Sequence, residues 1–152
     1  NEKFLKIASS FMNIFRRDTD YLLGSKPNMG IETAFDDNDL TKDPKRYKRI
    51  LNLRKKKPDI KLWGVTNAFA KAVNKRFKII RKKNWPEKIN LNILIINNKK
   101  DRVVDSKKIS AMNDRLPNSK MIVFEETEHE IFMEKDVHRE KSLKEIENFL
   151  NN

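Results

Sequence analysis

The chain has 152 residues, 38% hydrophobic and 37% charged, with 34 Lys and Arg against 22 Asp and Glu. That length suits one ordinary domain, and the apolar fraction is low but still globular. Cysteine is absent, which excludes disulfides and thiolate zinc sites, and no apolar run approaches the roughly 18 residues of a membrane span.

No charged-then-apolar signal peptide opens the chain. It starts at Asn1 rather than Met, as expected of numbering that begins inside a longer or processed product. The net charge of +12 is unevenly spread. From Lys45 to Lys100 there are 19 basic residues and two acids, Asp59 and Glu87, which gives +17; the remainder carries 15 basic and 20 acidic residues, which gives −5. Such asymmetry suggests an anionic partner, whether a membrane surface, phosphorylated head groups or nucleic acid; the bland alternative is a solvated, lysine-rich face.

In chain order, Phe4, Ile7, Ala8, Phe11, Met12 and Phe15 recur at three-and-four spacing and predict an amphipathic helix over Phe4–Phe15. Tyr21–Asp39, with Gly24, Pro27 and Gly30, reads as a loop. Thr41 or Asp43 can cap a helix with Pro44 in its first turn, running through Tyr47, Ile50 and Leu51 and closed by Pro58. Thr66 caps a longer helix from Asn67 to about Lys83, its apolar side formed by Phe69, Ala70, Val73, Phe77 and Ile80; Trp85-Pro86 stops it.

After Pro86 the texture changes. Ile89–Asn97 is β-branched and nearly uncharged, as expected of a strand buried on both faces. Asp105 or Ser106 caps a helix through Ile109 and Met112, Pro117-Asn118 turns the chain, and Lys120–Glu125 forms a second strand around Met121–Phe124. A turn over Thr127–Glu130 leads to a closing helix from about Asp136 to Leu150, with Leu143, Ile146, Phe149 and Leu150 expected inward. The predicted division falls near residue 87, giving 1–87 as a helical region and 88–152 as a β-α-β-α unit with two parallel strands.

A strand–helix–strand unit of this length forms parallel neighbours through a right-handed crossover, so both strands end at one edge of the sheet, where open α/β sheets bind their ligands. Asp101 follows the first strand and His129 the second. A carboxylate accepting the Nδ1 hydrogen fixes the imidazole tautomer and leaves Nε2 to take a proton from a hydroxyl nucleophile. Asp101 could equally balance Lys99, Lys100 and Arg102 as a plain loop carboxylate. Asp105 is the rival acid, better placed as a helix cap, and His138 reads as a solvated helix residue. A Gly-x-Ser-x-Gly elbow occurs nowhere in the 152 residues.

Ile93-Leu94-Ile95-Ile96 followed by Lys100-Asp101-Arg102-Val103-Val104-Asp105-Ser106 resembles the acid-bearing segment of the lysophospholipase and monoacylglycerol-lipase branch of the α/β-hydrolases. Phe124 to Asp136, centred on Glu128-His129-Glu130, resembles the histidine loop of the same branch. Leu40–Tyr47 and Gly64-Val65-Thr66 resemble the lid region of its bacterial lysophospholipases. The resemblance implies a partial α/β-hydrolase fold, with 1–87 as a cap or lid and 88–152 as the C-terminal part of the core. It implies Asp101 as triad acid and His129 as triad base, with the nucleophile and one oxyanion donor lying before residue 1 and the other donor in a still earlier loop. Asn97-Asn98-Lys99 and Glu126-Thr127-Glu128 stand where the branch has small residues and glycines, and Ser9, Ser10 and Ser25 lack an elbow's flanking glycines.

The expected function is therefore part of a serine hydrolase of lipid acyl esters, inactive without its serine. Its substrate would be a lysophospholipid or monoglyceride; no cofactor and no metal are expected. The expected location is the cytoplasm, with the inner membrane face as a docking surface for the basic helix Asn67–Lys83. The alternative is a basic module binding nucleic acid or anionic membrane through Lys45–Lys100, although no known nucleic-acid signature is present.

Overall fold

A computed structural model describes residues 18–22, 33–62 and 64–151; the helix expected over Phe4–Phe15 lies outside them. The chain divides into two compact units, Asn1–Glu32 with Lys57–Lys82, and Thr33–Lys56 with Lys83–Asn152.

In the first unit, Pro58–Ile60 forms a 3-10 turn and Asn67–Ile80 forms the helix α2. Thr66 Oγ1 caps it by accepting the Phe69 N–H at 3.3 Å. Asp18 steadies the same end: its carbonyl accepts Ala68 N–H at 3.0 Å, and its carboxylate pairs with Lys71 at 2.6 Å. The helix stops at Ile80, short of the expected Lys83, and Asn84 turns the chain at a left-handed φ of 64° before Pro86. Phe69 and Phe77 lie on its exposed surface.

The second unit holds the sheet. Helix α1, Pro44–Lys56, is capped by Asp43, whose Oδ1 accepts the N–H groups of Lys45 at 2.9 Å and Arg46 at 3.1 Å. Its one buried apolar side chain is Tyr47, whose hydroxyl donates to the Thr33 carbonyl at 2.9 Å. Strand β1, Ile93–Asn98, pairs in parallel with β2, Ser119–Phe124, in the register Ile93 to Ser119 through Asn98 to Phe124. Helix α3, Ser106–Asn113, connects them, and α4, Asp136–Leu150, closes the chain. The class is α/β with a two-stranded parallel sheet, as the sequence predicts.

Several expectations need correction. β1 begins at Ile93 because Ile89 closes the Pro86–Lys88 3-10 turn, its N–H bonded to the Pro86 carbonyl at 3.0 Å. Ile93 to Ile96 are only half-buried, since a single neighbouring strand covers them among the described residues; full burial begins at Asn97 and Asn98. On α4, Ile146 and Phe149 are half-buried, but Leu143 and Leu150 are 40% and 75% exposed. His138 is half-buried too, its ring edge-on to Phe124 at 6.3 Å.

Candidate active site

Asp101 and His129 meet at the carboxyl edge of the two strands. The ladder runs one step past β1, where Lys99 N–H donates to the Phe124 carbonyl at 2.8 Å, and Asp101 N–H then turns back onto the Asn98 carbonyl at 3.2 Å. One carboxylate oxygen of Asp101 accepts the N–H groups of Val103 at 2.7 Å and Val104 at 2.9 Å, a local turn that orients the side chain. The other lies 2.8 Å from His129 Nδ1. The Asp101 side chain is 3% exposed and that of His129 30%, so the carboxylate is sealed while the imidazole reaches solvent.

Burial alone pushes the Asp101 carboxyl up. The Val104 N–H, the His129 imidazole and the Val103 N–H outweigh it and hold the pKa below its ordinary value. An ionised Asp101 accepts the proton on Nδ1, which leaves Nε2 as the basic nitrogen, with no hydrogen-bond partner among the described residues. Asp105 is occupied at the N-terminus of α3, capping Lys107 N–H at 3.0 Å and Lys108 N–H at 3.3 Å.

Four further residues hold the histidine loop, and sequence reasoning singled out none of them for it. Asn98, the last residue of β1, donates its amide to the His129 carbonyl at 3.1 Å and accepts the Thr127 hydroxyl at 3.0 Å. These two polar residues fall where the resembling family has small ones, and their joint departure was the available signal. Glu134 is fully buried; its carboxylate accepts the Glu128 N–H at 2.8 Å and the Lys42 N–H at 3.3 Å. In sequence it is one acid among several. Arg102 reaches Asp39 at 2.9 Å and the Asn38 carbonyl at 2.7 Å. Glu128 Oε2 is buried without a hydrogen bond and sits 3.7 Å from Arg102 Nε, close enough for an ion pair only. The braced segment in turn accepts His129 N–H at Asp39 O, 3.3 Å, and Glu130 N–H at Leu40 O, 2.8 Å.

No serine hydroxyl is bonded to His129 among the described residues. Ser110, Ser119 and Ser142 donate to backbone carbonyls, while Ser9, Ser10 and Ser25 lie outside the described residues. No group of three or more His, Asp or Glu side chains that could hold a metal ion occurs among the described residues, and no helix there is long and apolar enough to cross a membrane.

Parallel strands delivering an acid and an imidazole to one sheet edge define an α/β-hydrolase-type core. The family described as serine aminopeptidase, S33, matches residues 4–136, and the chain belongs to this α/β-hydrolase family. Over 150 residues it is 29% identical to the probable lysophospholipase L2 of Haemophilus influenzae, covering 96% of this chain and 45% of that protein. Its fold is similar to that of a soluble variant of monoglyceride lipase from Saccharomyces cerevisiae, solved in complex with a substrate analog, with a TM-score of 0.63 at 18% identity over 99% of this chain and 49% of that one. The chain thus spans about half the length of the relatives it matches.

Proposed function

We propose that the chain carries the acid and base of a serine-dependent lipid ester hydrolase, with Asp101 as acid and His129 as base, and that sequence outside these 152 residues supplies the serine. The observation that carries this reading is the 2.8 Å contact between a sealed carboxylate and a solvent-open imidazole at one sheet edge. The names of the relatives support an acyl ester substrate, a lysophospholipid or a monoglyceride. Residues 1–87 then furnish the lid and 88–152 the closing part of the core.

In the reaction, His129 Nε2 removes the proton from the serine hydroxyl as it attacks the acyl carbonyl. Asp101 keeps the Nδ1 proton in place and stabilises the imidazolium. His129 then returns its proton to the glycerol oxygen as the ester bond breaks, leaving an acyl-enzyme. In deacylation it activates water in the same way.

A serine-directed phosphonate probe tests this. Alone, the 152 residues should not label. Combined with an upstream half bearing a Gly-x-Ser-x-Gly elbow, they should label and hydrolyse a lysophospholipid or monoglyceride, and His129→Ala should abolish both. Labelling of the chain alone, or hydrolysis that survives His129→Ala, would overturn the reading.

A further inference from the structure

Within the second unit, an open cleft of about 480 Å³ lies between α1, the Ile131–Met133 turn and the first turns of α4. That volume falls in the range of small-molecule sites, about 300–1,000 Å³. From α1, Arg46, Arg49, Ile50 and Leu53 share one helix face at three-and-four spacing. Phe132 and Met133 line it from the turn and Arg139 from α4, so apolar and guanidinium side chains line it together. Phe132 is 48% exposed.

The three arginines are not equivalent. Arg46 is spent: it pairs with Asp43 at 2.8 Å and with Asp136, and donates to the Glu134 carbonyl at 2.7 Å. Arg49 and Arg139 have no carboxylate partner among the described residues. Nor does α1 offer one, for Lys45–Lys57 holds eight Lys and Arg and no acid. Two guanidinium forks without a carboxylate partner among the described residues, in one cleft with the exposed Leu53 and Phe132, match a ligand with an anionic group on an aliphatic chain. Nucleic acid fits less well, since Ile50, Leu53, Phe132 and Met133 offer aliphatic and aromatic rather than polar lining.

We propose that this cleft binds a single-chain anionic amphiphile, with Arg49 and Arg139 on the charged group and Ile50, Leu53, Phe132 and Met133 along the chain. The anionic group is a carboxylate, as on a released fatty acid, or a phosphodiester, as on a lysophospholipid. Choosing an acyl chain rests on the lipid-ester reading above; the binding is independent of hydrolysis. Phe132 and Met133 follow His129 closely, and Thr41 Oγ1 donates to the Met133 carbonyl at 2.6 Å, so an occupant would rest on the turn that extends the histidine loop.

The full chain is titrated, at fixed salt and below each critical micelle concentration, with lysophosphatidylglycerol, laurate, monolauroylglycerol, inorganic phosphate and a short single-stranded oligonucleotide. Calorimetry gives affinity, and the NMR shifts of the Arg49 and Arg139 Nε–H groups and the Phe132 ring give location. Anionic amphiphiles should bind about tenfold or more tightly than monolauroylglycerol and move those signals. Arg49→Gln with Arg139→Gln should erase the preference, while Lys55→Gln with Lys144→Gln, removing equal charge outside the cleft, should keep it. Binding of both anions, or of either alone, supports the site and identifies the group it takes. Equal losses in the two double variants, phosphate or oligonucleotide binding as tightly as the amphiphiles, or shifts elsewhere would each overturn it. Should the arginine variant not fold, the wild-type shifts still decide. None of these outcomes depends on the serine probe, so the cleft and the hydrolase reading fail separately.

Discussion

Asn98 Oδ1 accepts the Thr127 hydroxyl at 3.0 Å, in a position where both side chains are buried and Asn98 also holds the His129 carbonyl. The strand that delivers the acid therefore grips the loop that delivers the base. The small residues expected at these positions would need no such bond. Here two polar side chains occupy the space and satisfy each other, as buried polar groups must.

Asn98→Ala should destabilise the chain by about 1–3 kcal/mol, because it strands the Thr127 hydroxyl and the His129 carbonyl. Thr127→Val should cost a similar amount by stranding Asn98 Oδ1. The double variant should cost less than the sum, with a coupling of about 0.5–3 kcal/mol. Denaturant unfolding of the four proteins measures it, and strict additivity would mean that the bond contributes nothing.

The Asn98–Thr127 pair also marks what the sequence could and could not disclose. Local signals placed the elements well. Thr66 caps its helix as expected, Asp43 rather than Thr41 and Asp105 rather than Ser106 cap theirs, and the β-α-β texture yields parallel strands with Asp101 and His129 at one edge. Contacts across long sequence separations were not legible. That Asn98 meets Thr127 depends on a register only the folded sheet defines. The strand start failed for a local reason, since Ile89 reads as strand until the Pro86 turn claims its N–H. His138 failed because helical position alone does not disclose that Phe124 lies beside it.

Asp101 should leave a signature in acid. Its folded pKa is depressed, so its contribution to stability is fully present above the unfolded value of about 3.9 and is lost as pH falls through the folded value. Asp101→Asn removes that titration. The melting temperature of the wild type should therefore fall toward the variant's below about pH 4 and exceed it near neutrality. Parallel curves across the acid range would rule out this account.

Glu134 is a buried carboxylate that serves two backbone donors from different segments, Glu128 N–H and Lys42 N–H. Glu134→Ala should cost on the order of 3 kcal/mol or more, as it leaves both donors unpaired in the interior. Glu134→Gln keeps the shape and one acceptor oxygen and should cost less. Thermal unfolding of the two variants checks the order, and an alanine variant as stable as wild type would contradict the role.

Arg102 should separate local order from global stability. Its pair with Asp39 is exposed on both sides and contributes about 0–1 kcal/mol, while the buried Glu128 Oε2 loses its ion-pair partner, so Arg102→Ala should lower the unfolding midpoint only moderately. The Asn38–Asp39 segment it braces nevertheless holds the His129 and Glu130 amides. Loss of the brace should therefore speed hydrogen exchange at those two amides while leaving β1 and β2 protected. Arg102→Lys should fall between, because an ammonium cannot span Asp39 and the Asn38 carbonyl with the guanidinium's planar fork. Unchanged exchange at His129 and Glu130 would show that the backbone pairing at Asp39 and Leu40 orders the histidine loop without Arg102.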